Sequence, residues 1–96
     1  MTVDLSVIER ICAKNDVALL RVFGSAARGE DTLESDVDLL VDFSEPKSLF
    51  DLVRIEQEFE EALGRKVDLV TSASLSPYLR DQVLGEAQVL YERRAA

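Results

Sequence analysis

Three short runs constrain this chain most: Val17–Phe23, Val37–Phe43 and Val67–Thr71, with aspartates set into or beside the last two. Each run is mostly apolar and bounded by turn-forming residues, so each reads as a strand. Asp36 stands at the start of the second run, Asp38 lies inside it, and Asp68 lies inside the third. Strand side chains alternate between faces, so residues 36 and 38 project to one side while Val37 and Leu39 face the other. Carboxylates repel one another and favour water, which makes such a strand a costly place for them. A divalent cation would offset that cost, because hard oxygen ligands suit Mg²⁺. The plain alternative is a pair of edge strands whose acids simply face water.

The segments between these runs define the fold class. Ser6 and Glu9 have capping-box spacing, and Val7, Ile8, Ile11 and Cys12 follow as a helical stripe. Asn15-Asp16 is a stop signal. Residues 25–35 are small, polar and charged, and predict a helical turn followed by a loop. Pro46 marks a turn over 44–47. Ser48 predicts the cap of a helix running to Leu63, with Leu49, Leu52, Val53, Phe59 and Leu63 inward and Glu56, Glu58, Glu60 and Glu61 mostly outward. Gly64 is the expected C-cap. After a serine-rich stretch containing Pro77, a last helix is expected from about Arg80 to Arg93, with Val83, Leu84, Ala87, Leu90 and Tyr91 inward. This order predicts a small α/β or α+β domain, a sheet with helices on one or both faces. Nothing divides the chain, so residues 1–96 are expected to form a single domain.

Composition excludes several classes of function. The chain has 96 residues, 47% of them hydrophobic, which suffices for one core. A domain of this size leaves much surface exposed, which a partner subunit would help to bury. There is no histidine, which removes a Ser-His-Asp triad and any histidine-containing zinc site. Cys12 is the single cysteine, so no internal disulfide forms, and it reads as a small core residue. The net charge of −8 argues against direct nucleic-acid binding, which depends on Lys and Arg neutralising phosphates. The first residues show no basic, apolar targeting pattern, and no apolar run approaches the ~20 residues of a membrane span. The expected location is the cytoplasm. Tyr78 and Tyr91 read as packing residues.

The stretch Gly24-Ser25-Ala26-Ala27-Arg28-Gly29 joins the first two runs. Glycine permits tight geometry and close approach of a ligand, and the exposed N–H groups of such a turn bind anions. The Ser25 hydroxyl would add a hydrogen bond to a terminal phosphate. Neither a Walker pattern nor G-x-G-x-x-G is present, and alone the turn could be an ordinary connection. Arg28 could reach a phosphate, or pair with Glu30 or Asp31.

Taken together, Gly24-Ser25-x-x-Arg28-Gly29, Ser35-Asp36-x-Asp38-Leu39-Leu40-Val41 and Val67-Asp68-Leu69-Val70 resemble the polymerase-beta-like nucleotidyltransferases. More narrowly, the chain is similar to the minimal nucleotidyltransferase antitoxins encoded beside HEPN toxins. The resemblance implies a mixed sheet flanked by helices. It also implies Mg²⁺-dependent chemistry with two ions, with Asp36, Asp38 and Asp68 as metal-binding and catalytic residues, and Gly24, Ser25 and Arg28 at the nucleotide. It implies transfer of AMP from ATP to a tyrosine of a HEPN toxin, within a hetero-oligomer. Two other readings stay open: an antitoxin that acts by binding alone, and a nucleotidyltransferase that acts on a small molecule or an RNA.

Overall fold

The computed structural model describes residues 4–32 and 34–93. The first helix, α1 (Leu5–Lys14), starts two residues earlier than the capping-box reading places it. Its N-cap is Asp4, whose carboxylate accepts from the Ser6 N–H and hydroxyl at 3.0 and 2.6 Å. Asp and Ser compete for this role at similar strength, and here the earlier residue takes it. Asn15 ends the helix as expected.

The three runs form β1 (Val17–Phe23), β2 (Val37–Phe43) and β3 (Val67–Thr71) with the expected bounds. Between β2 and β3 lies α2 (Leu49–Leu63), capped by Ser48, with Asp51 completing a capping box and Gly64 left-handed at its end. Its buried stripe differs from the expected one. Ile55 and Phe59 are fully buried, whereas Leu49 and Val53 face water. Two of the glutamates expected outside also turn inward. Glu60 and Glu56 accept from the Val67 and Leu69 N–H groups of β3 at 2.9 and 3.0 Å. β3 is an edge strand, and these carboxylates satisfy donors that would otherwise invite another chain.

The largest departure from expectation is at the C-terminal end. The helix expected over 80–93 is instead α3 (Pro77–Glu86) followed by a fourth strand, β4 (Gln88–Glu92). Val83 is buried as expected, but Leu84 is exposed. β4 pairs antiparallel with β1. Val89, Leu90 and Tyr91 suit either helix or strand by spacing; the open edge of β1 decides the matter by offering backbone partners.

The sheet order is β3-β2-β1-β4. β1 runs antiparallel to β2 and β4, and β2 runs parallel to β3, giving a mixed sheet. Val37, Leu39 and Val41 point to one face with Leu20, Val22 and Val67, and α1 and α2 cover that face with Ile8, Ile11, Cys12, Ile55 and Phe59. Each such buried side chain contributes about 1.5–3 kcal/mol. Asn15, a buried polar residue, ties the helices together. It donates to the Ile11 carbonyl at 2.8 Å and to Glu58 at 3.2 Å, and accepts from Arg54 at 3.0 Å.

Candidate active site

The parallel pairing of β2 with β3 sets Asp38 directly beside Asp68 in register, with Val37 beside Val67. Val37 and Val67 are buried in the core. Alternation therefore places Asp38 and Asp68, and Asp36 one pleat earlier, on the opposite face. The three expected acids share one side of two neighbouring strands. Asp36 and Asp68 are exposed, and Asp38 is half-buried.

Among the described residues, no cation or hydrogen-bond donor pairs with any of the three. Asp42, further along the same face of β2, lies 3.6 Å from the Arg21 guanidinium. Burial, followed by the negative charges of Asp68 and Asp36, pushes the Asp38 carboxyl above its usual range. Such a donor set fits a hard divalent cation. It is not a preformed cage, since no three acidic or thiol side chains among the described residues surround one point. Mg²⁺ usually takes one or two carboxylates and completes its shell with water and substrate phosphates.

Gly24 ends β1 with φ +71°, a conformation other residues adopt only under strain. Because Phe23 pairs with Asp38, the turn begins against that carboxylate. A Cβ at position 24 would collide with Asp38 Oδ2. The backbone then makes the expected helical turn. The Gly24 carbonyl accepts from the Ala27 and Arg28 N–H groups at 3.1 and 3.2 Å, and the Ser25 carbonyl accepts from Glu30 at 2.9 Å. Among the described residues nothing accepts from the Ser25 or Ala26 N–H or from the Ser25 hydroxyl. Unpaired backbone N–H groups in such a turn attract anions.

Arg28 pairs with Glu30 at 3.1 Å, one of the partners expected for it, and with Glu86 at 3.0 Å. Asp31, the other expected partner, pairs instead with Arg65 at 2.7 Å. Two residues were thus missed from the sequence. Glu86, the last residue of α3, also accepts from the Gly24 N–H at 3.1 Å. Its contacts span about sixty positions, so no local spacing announces them. Arg65 binds the Thr32 and Ser35 carbonyls at 2.8 and 2.7 Å as well as Asp31. It thereby fixes the loop that delivers Asp36, and the one visible signal is its place three residues before Asp68.

Two other expectations resolve plainly. Cys12 is buried, and burial pushes its thiol up to about 12, as suits a packing residue. Tyr91 packs against the core, but Tyr78 is 93% exposed and packs nothing. Among the described residues, no helix is long and apolar enough to cross a membrane.

A mixed four-stranded sheet with unpaired acids on two adjacent strands and a glycine turn against them defines a nucleotidyltransferase core. The polymerase beta nucleotidyltransferase family matches residues 6–96, and the chain belongs to it. A Methanocaldococcus jannaschii protein named provisionally as a protein adenylyltransferase is 49% identical over 77 residues, covering 80% of this chain and 83% of that one. Protein adenylyltransferase MntA of Thermococcus cleftensis is 48% identical over 65 residues, covering 68% of this chain and 66% of its own. Among solved structures, a toxin-antitoxin complex with AMP-PNP superposes with a TM-score of 0.81 at 26% identity, over 96% of this chain and 76% of the compared one.

Proposed function

We propose that this chain is a Mg²⁺-dependent protein adenylyltransferase, the antitoxin of a toxin-antitoxin pair, that moves AMP from ATP to a tyrosine of a HEPN-type toxin. The observation that carries this reading is the set of unpaired acids, Asp36, Asp38 and Asp68, on the face that the Gly24 turn also meets. The names of the M. jannaschii and T. cleftensis relatives support protein adenylylation, and the AMP-PNP complex supports an adenine nucleotide and a toxin partner.

Asp36, Asp38 and Asp68 are the residues that would hold divalent cations. Bound ions of this kind neutralise the triphosphate and stabilise the attacking and leaving oxygens of an in-line displacement. The chain's own part is positioning. The Gly24–Ala26 backbone and the Ser25 hydroxyl receive the β- and γ-phosphates, which aims the α-phosphorus at the acid face. The tyrosine oxygen forms a bond to that phosphorus, the bond to the β-phosphate oxygen breaks, and pyrophosphate leaves. Asp68, which is exposed, would help the hydroxyl lose its proton. The acceptor tyrosine is supplied by the toxin partner. Use of ATP and a single buried, reduced cysteine suit the cytoplasm.

Incubating the chain with labelled ATP, Mg²⁺ and its partner toxin tests the proposal. Label should appear on a toxin tyrosine, and the Asp36→Asn, Asp38→Asn double variant should lose at least ~100-fold in rate. Absence of transfer under conditions where ATP binds would count against catalysis. The exposed Leu49 and Phe50 favour a second reading, inhibition by docking alone. Full neutralisation of the toxin by the double variant would establish it.

A further inference from the structure

We propose that Glu86 is a further positioning residue of the nucleotide site: its carboxylate holds the donors of the phosphate-binding turn and yields them to the incoming triphosphate. This rests on the function proposed above. Glu86 accepts from the Gly24 N–H at 3.1 Å with one oxygen and from Arg28 Nη1 at 3.0 Å with the other. A backbone N–H and a guanidinium converging on one anionic group is how proteins bind phosphate. Here the anion is supplied by the chain itself.

The placement of Glu86 is locally unfavourable. It is the last residue of α3, where the helix dipole disfavours an acid. It also adds negative charge near Asp38. The Gly24 and Arg28 contacts offset these costs, and a triphosphate would take over both. Arg28 keeps Glu30 as a second partner in either state, so the exchange moves one contact of its guanidinium from carboxylate to phosphate.

α3 is suited to letting go. Val83 is its single buried residue, Ser76 makes no side-chain cap, and Tyr78, Leu79 and Leu84 are exposed. A helix with so few buried contacts opens at low cost. Val83 lies one turn before Glu86, so the C-terminal end can shift while β4 stays paired to β1.

Calorimetric titration of MgATP into the wild type, Glu86→Ala and Glu86→Gln tests the exchange. Removing the competing carboxylate should tighten binding roughly three- to tenfold in both variants, a gain that damaged folding cannot produce. AMP, which lacks the β- and γ-phosphates, should show no gain. Adding Arg28→Ala to Glu86→Ala should abolish most of the improvement. Binding that is equal or weaker in folded Glu86 variants overturns the inference and leaves the proposed function standing, provided the wild type binds. An equal gain for AMP also overturns it. Failure of all three proteins to bind MgATP overturns both.

Discussion

The two faces of β2 come from the same seven residues and have opposite properties. Val37, Leu39 and Val41 lie under α1 and α2 with no exposure above 1%. On the other face, Asp38, like Asp36 just before the strand, has no partner among the described residues, Asp42 has Arg21, and Leu40 is buried in register with Val70 of β3. One face is packed to completion, whereas the other leaves charge uncompensated where a ligand would supply the compensation. Stability and activity should therefore separate by face.

The comparison breaks if a substitution on the packed side disables the site directly. Phe59→Ala should lower stability by about 3–5 kcal/mol, the cost of a large cavity in a sealed core. In denaturant titration the midpoint should fall sharply, while the fraction still folded should bind MgATP with unchanged affinity. Altered affinity in that fraction would mean the faces are coupled.

Arg65 sharpens it, because its side chain serves the acid face and is yet less than a tenth exposed, as is that of Asp31. Its hydrogen bond to Asp31 holds that carboxyl below the usual range. The resulting stabilisation is fully present above the ordinary value of about 3.8, and is lost as pH falls through the lowered folded value. Arg65→Met should lower the thermal midpoint at neutral pH by less than Phe59→Ala does. It should also flatten the midpoint's pH dependence below about pH 4. An unchanged acid limb would show that the pair does not act as described.

The smallest stability effect and the largest loss of binding should coincide at Gly24. Gly24→Ala should cost roughly 1–3 kcal/mol from its left-handed backbone, and should disturb Asp38, which the new Cβ meets. Calorimetry should show MgATP binding lost from a protein that still melts cooperatively. Retained binding would show that the turn does not need its close approach to Asp38.

The parts legible in the sequence are those governed by neighbours along the chain. The bounds of β1, β2 and β3, the Ser48 and Gly64 caps and the shared side of residues 36 and 38 all follow from local pattern. The parts that were not legible depend on remote backbone. β4 forms because β1 has an open edge, and Glu56 and Glu60 turn inward because β3 has unpaired N–H groups.

The site divides in the same way. Sequence alone singled out the residues proposed to carry the chemistry, because acids in apolar strands and a glycine turn are visible one residue at a time. Tertiary structure decided that Asp68 stands beside Asp38, that Arg65 secures the loop before Asp36, and that Glu86 reaches Gly24. Those contacts join positions some thirty to sixty residues apart. Their partners are chosen by strand pairing and helix placement, which no local spacing encodes.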